Sequence, residues 1–159
     1  MNDKLNWESG QENEDLKQYV TFLVGGETYG VSVMKVQSIN EMSEITQVPR
    51  ARSFIKGVIN MRGAVIPVID MRNKFGLPGK DYDSFTVILI VEVKERLVGM
   101  IVDSVSDVIS IPASNVQTNI SYSGKVEKNS MEGVGRIGDS LIILLDVETF
   151  LYNENVQEA

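Results

Sequence analysis

GVINMRGAVIPVIDMRNKFG, Gly57 to Gly76, sets two short apolar runs on either side of an Arg-Gly pair. The runs are rich in β-branched residues and read as strands, Val58 to Met61 and Ala64 to Ile69. Gly63 supplies the positive φ of a tight turn between them, which leaves Arg62 at its tip. Pro67 cannot donate to a ladder, so its strand is expected at an edge or with the missing donor turned outward. Asp70 reads as the N-cap of a short helix through Phe75, stopped by Gly76 and Pro78. Upstream, Arg50 to Lys56 reads as a short helix ending at Gly57, a residue that tolerates a left-handed cap.

The same pattern returns 76 residues later as Gly133-Val134, a run LIILLD ending at Asp146, and Leu151 in the place of Phe75. A second echo has a spacing of 69, with Tyr29-Gly30-Val31, Val36 and Ile39 matched by Val98-Gly99-Met100, Val105 and Val108. Both echoes run in the same order, which predicts two copies of one small β unit, the second with a longer loop. Strands that are apolar on both faces must be covered on both. The expected architecture is therefore mainly β, two small barrels packed together with extra core between them.

Around these units, Gln18 to Val24 and Glu27 to Val31 form a hairpin across Gly25-Gly26. The apolar spacing of Val33 to Ile39 is compatible with a helical turn or a strand, and a tight turn followed by a strand is the favoured reading. The second half has strands near Phe85 to Val93, Arg96 to Val102 and Ser104 to Ile111. A polar loop from Pro112 to Ser130 follows, then strands at Glu132 to Ile137 and Leu141 to Leu145, and a last helix from Asp146 to Tyr152. Residues 1–16 and 154–159 read as acidic tails, the first of them flexible, and 17–153 as one domain of two barrel subdomains.

Composition removes whole classes of chemistry. Among 159 residues there is no cysteine and no histidine, so disulfides, thiolate zinc sites and the common Ser-His, Cys-His and His-metal constellations are excluded. The apolar runs reach five residues, far below the about 20 of a bilayer span, and the acidic N-terminus is no secretory signal. The chain reads as cytoplasmic. The first 15 residues and the last six account for −6 of the net charge of −7. Residues 50–74 instead carry six bases against one acid, a local excess that suits an acidic partner or a solvated face. Nucleic acid is not expected, because the body has no overall basic excess and no aromatic residues among these bases.

Asp70, Asp103, Asp107 and Asp146 are the only tempting carboxylates. Asp70 and Asp146 occupy equivalent capping places in the repeat, and Asp103 and Asp107 read as turn acids. GVGRIG, Gly133 to Gly138, has a dinucleotide-loop shape but precedes a strand rather than a helix. No catalytic set, metal site or cofactor site is predicted. The chain is better read as a binding module than as a carboxylate-based enzyme or a small-ligand binder on a barrel.

Taken with Glu27 to Val31, Val36 to Ile39, Ile45 to Pro49, Phe54 to Gly57 and VGMIVDSVSDV (Val98 to Val108), the opening stretch resembles the CheW family of bacterial chemotaxis coupling proteins. The resemblance runs from about Tyr19 to Tyr152. It implies two intertwined five-stranded SH3-like β barrels and a non-enzymatic adaptor, recruited to membrane-associated arrays without inserting itself. The implied partners are the regulatory CheW-like domain of the histidine kinase CheA and the cytoplasmic tip of the chemoreceptors, the methyl-accepting chemotaxis proteins. The same fold could serve a kinase array with an output other than motility. Asn60, Arg62 and Gly63 match the family's Asn-Leu-Arg-Gly turn, in the region engaged by partners. Val36 and Ile39 match positions lining an apolar groove between the barrels, and Gly57 a glycine near it. Many members carry glutamate where this chain has Ser38, so a contact made by that acid is lost here or supplied by Glu41 or Glu44.

Overall fold

The computed structural model describes residues 16–50, 54–118, 126 and 130–152; apart from Leu16, both tails lie outside them. The elements in chain order are β1 (Leu16–Val24), β2 (Glu27–Ser32), a single 3-10 turn (Val33–Lys35), β3 (Val36–Glu41), β4 (Ile55–Met61), β5 (Ala64–Asp70) and α1 (Met71–Lys74). The second half follows with β6 (Val87–Val93), β7 (Arg96–Val102), β8 (Ser104–Pro112), a 3-10 turn (Ala113–Asn115), β9 (Val116–Gln117), β10 (Met131–Ile137), β11 (Ser140–Leu145) and α2 (Val147–Tyr152).

The strands form two sheets, in the orders β8-β1-β2-β11-β10-β9 and β3-β6-β7-β5-β4. Each sheet takes a hairpin from one half of the chain and sets it between strands of the other half. The hairpin β1-β2 lies between β8 and β11, and β6-β7 between β3 and β5. The two joints are parallel and equivalent: Leu144 faces Gly30 in one, and Val68 faces Gly99 in the other. The spacings of 69 and 76 in the sequence meet at these two pairs. The barrels are thus intertwined, and neither half of the chain builds one alone.

Alternation sorts each strand between two cores. On β6, Ile88 and Ile90 join Ile59, Ile66, Val68 and Ile101 inside one barrel, while Leu89, Val91 and Val93 face a central core shared by the two sheets. On the other sheet Tyr19, Ile111, Ile142 and Leu144 form the small barrel core, and Val20, Phe22, Tyr29, Val31 and Leu145 face the centre. Phe22, Tyr29 and Phe75 stack in series there, with ring centroids 5.8 and 4.9 Å apart.

Several local expectations change. Ile55 and Lys56 belong to β4 rather than to a helix; Arg52, within that expected helix, lies outside the described residues. Gly57 is therefore no helix cap. It follows a bulge at Lys56, and a Cβ on it would lie 2.3 Å from the Thr46 carbonyl oxygen, because Thr46 and Val58 exchange backbone hydrogen bonds of 2.9 and 2.8 Å. Gly133 repeats the arrangement, with a bulge at Glu132 and the Gln117 carbonyl 2.7 Å from where a Cβ would stand. The expected polar loop after Pro112 consequently contains β9, whose two residues pair with Val134 and Gly135. Pro67 lies in an interior strand rather than at an edge, but β5 meets β7 only from Val68 onward, so no ladder bond is lost on that side.

Asp70 caps α1 as its place in the sequence predicts, its Oδ1 accepting from the Arg72 and Asn73 N–H groups at 3.0 and 3.3 Å. Asp146 does the same for α2 through Thr149. Asp103 is more than a turn acid. It receives Arg72 Nε and Nη2 at 2.9 and 2.8 Å and the Gly25 N–H at 2.9 Å, tying the β1-β2 turn, α1 and the β7-β8 link together. At the equivalent place in the other half, Glu148 of α2 pairs with Lys35 at 2.5 Å. Arg72 and Glu148 occupy corresponding helix positions, so the two clasps carry opposite polarity.

Candidate functional site

The β4-β5 connection is a two-residue turn closed by Met61 opposite Ala64. Arg62 and Gly63 both have positive φ, 54° and 86°, the signs of a type I′ hairpin turn. Asn60 Oδ1 accepts the Gly63 N–H at 3.1 Å and braces it. Glycine adopts this conformation freely, but for arginine the left-handed region costs about 1 kcal/mol. Arg62 is exposed at the tip.

Strand β3 faces this turn. In a regular strand Val36 and Ile39, three apart, would lie on opposite faces. A bulge at Gln37 brings them to one face, opposite Val91 and Leu89 respectively, both of which belong to the central core. Val36 packs against that core, while Ile39 stays 45% exposed. Ser38 and Asn40 take the other face, opposite Ile90 and Ile88, and the Ser38 hydroxyl donates to Asn40 Oδ1 at 2.7 Å. Gln37, Ser38, Asn40, Met61 and Arg62 line one cavity of about 230 Å³.

Five of the seven residues expected at the site thus gather on two adjoining surfaces. Ser38 and Arg62 share the cavity, Asn60 and Gly63 shape its turn, and Ile39 is exposed on the opposite face of the same strand. Val36 is half-buried beneath that face. Gly57 stands apart, buried under Ile45 and Thr46. Sequence reasoning passed over a counterpart: β8 has a bulge at Ser106 that sets Val105 and Val108 opposite Phe22 and Val20, with Val108 50% exposed. The signal was present, because Val105 and Val108 are the echo of Val36 and Ile39.

The electrostatics leave Arg62, like Arg50 earlier in the chain, without a partner among the described residues. Of the basic excess at residues 50–74, Arg72 is held by Asp103, Lys74 lies over the Phe54 and Phe150 rings at 4.7 and 4.9 Å, and Lys56 lies over Tyr82 at 5.7 Å. Among the described residues Arg62 has no hydrogen-bonding or ion-pairing partner, so neither Glu41 nor Glu44 pairs with it within the chain. Burial alone pushes the Asp103 carboxyl up, but the bonds from Arg72 and the Gly25 N–H outweigh it and hold it below its ordinary value. The tempting acids are all engaged, Asp107 by the Val108 N–H at 2.8 Å. No group of three or more acidic residues suited to a metal occurs among the described residues, and no helix there is long and apolar enough to cross a membrane.

Comparison with known proteins agrees with this architecture. The chain is 35% identical to chemotaxis protein CheW of Klebsiella aerogenes over 140 residues, 88% of this chain and 84% of that protein. It is 34% identical to chemotaxis protein CheW of Bacillus subtilis, over 90% and 92% of the two chains. The crystal structure of scaffolding protein TtCheW from Thermoanaerobacter tengcongensis superposes with a TM-score of 0.78 at 30% identity, covering 86% of this chain and 88% of that one. The CheW-like domain family matches residues 18–155, and the chain belongs to that family.

Proposed function

We propose that this protein is a chemotaxis adaptor that couples the cytoplasmic tips of chemoreceptors to the regulatory domain of the kinase CheA. It acts as a scaffold, not an enzyme, and reaches the membrane-associated array through its partners. The observation that carries this reading is a surface without chemistry. A braced turn presents an unpaired Arg62 beside a cavity, and apolar positions Ile39 and Val108 stand exposed on edge strands, while the acids that could have been catalytic are committed to caps and clasps. Apolar burial would supply contact area and Arg62 a directional, charge-assisted bond. Holding kinase and receptor in one unit lets a small receptor motion shift the kinase between states.

Titration of the full chain against a cognate CheA regulatory domain and a receptor cytoplasmic fragment tests the reading. Binding to both is expected, and binding to neither at moderate salt overturns it. Arg62→Ala should weaken coupling while moving the melting temperature little, since the side chain contributes no intramolecular bond. If that variant unfolds, Arg62 is structural.

A further inference from the structure

We infer that the cavity between β3 and the β4-β5 turn is a receptor for a carboxylate, an aspartate or glutamate side chain carried by the protein partner. The inference rests on the adaptor reading and specifies the chemistry of the partner at this site. All the polar groups lining the cavity come from neutral residues or from arginine: Gln37, Ser38, Asn40 and Arg62, with Met61 as an apolar wall. No carboxylate lines it. The Ser38 hydroxyl is spent on Asn40 Oδ1 at 2.7 Å, which leaves the Asn40 amide as a donor. The Gln37 amide and the Arg62 guanidinium add further donors. Arg62 is the one charged group in the lining and has no counter-ion among the described residues.

An unpaired guanidinium beside neutral donors matches a planar anion that can accept two parallel bonds, and a carboxylate has that shape. The turn geometry strengthens the case. A left-handed arginine is retained at the tip, φ 54°, where asparagine would satisfy the hairpin at lower cost. About 230 Å³ accommodates the end of an Asp or Glu side chain together with its last methylenes, and Met61 packs against those. A basic partner surface would instead leave Arg62 facing like charge, and a wholly apolar one would leave it buried and unpaired.

Substitution at Ser38 provides the test, because a glutamate there places an acid inside the cavity in cis and competes with the partner's. The full chain and its variants are titrated separately against the cognate receptor fragment and the cognate kinase regulatory domain. For one of these partners, Arg62→Glu should weaken binding ~10-fold or more and Arg62→Lys by less. Ser38→Glu should weaken it at least ~5-fold more than Ser38→Gln, which has the same size without the charge. Raising salt should weaken the wild type more than Arg62→Ala. Thermal melting of each variant confirms that it folds. If the wild type binds and Arg62→Glu binds as tightly, or Ser38→Glu and Ser38→Gln bind alike, the inference is overturned and the adaptor reading stands. If the wild type binds neither fragment, both fall.

Discussion

At Arg62 the backbone and the side chain want different residues. The type I′ turn favours Asn-Gly, and the chain has Arg-Gly. Arg62→Asn is expected to raise stability by about 0.5–1 kcal/mol in urea unfolding while weakening partner binding. An unchanged or lowered midpoint would show that the arginine is not strained. Gly57 is the opposite case, a residue fixed by its own fold. With the Thr46 carbonyl 2.3 Å from where a Cβ would stand, Gly57→Ala must displace backbone, and a loss of about 2–4 kcal/mol is expected. Both residues are expected among the partner contacts, Arg62 in the turn and Gly57 near the groove; Arg62 is exposed and Gly57 is buried, because a glycine's purpose depends on what approaches it, and Thr46 approaches Gly57 from another segment of the chain.

At the scale of elements, the bulges decide which side chains share a face. Gln37 and Ser106 on one pair of strands, and Lys56 and Glu132 on the other, each add one unpaired residue at equivalent positions. Without the first, Val36 and Ile39 would face apart. The two clasps also belong here. Arg72–Asp103 is the more buried, with side chains 21% and 18% exposed. Asp103→Arg sets two guanidinium groups against each other and should cost about 3 kcal/mol. Adding Arg72→Asp should recover part of the loss, not all, because the Gly25 N–H would still lack its acceptor. Urea unfolding of the two single variants and the double reads this coupling directly, and strict additivity would mean that the pair contributes nothing.

For the whole molecule, the same clasp gives an acid dependence with a definite sign. The folded Asp103 carboxyl titrates below its unfolded value of about 3.9, so its stabilisation is fully present above that pH and is lost as pH falls through the folded value. The stability difference between wild type and Asp103→Asn should therefore be constant near neutrality and shrink below about pH 4. A difference that persists unchanged at lower pH would show that Asp103 acts without its charge.

The sequence by itself determined the class of the fold, the two-copy plan, the capped helices and the turn that presents Arg62, because these follow from local spacing: apolar alternation, an acid at a strand end, glycine where φ turns positive. The same local information supported a helix before Gly57, which the structure does not have, and left Pro67 either at an edge or with its missing donor turned away from a partner, of which the structure has the second. Tertiary structure decided that each hairpin crosses into the other half's sheet, that Gln37 bulges and that Asp103 meets Arg72. Two copies of a unit carry nearly the same local signals whether a hairpin pairs at home or across. The choice between them lies in contacts between residues far apart in the chain, at Gly30 beneath Leu144 and Gly99 beside Val68, where a side chain inside each barrel packs onto a glycine of the hairpin that crosses in from the other half.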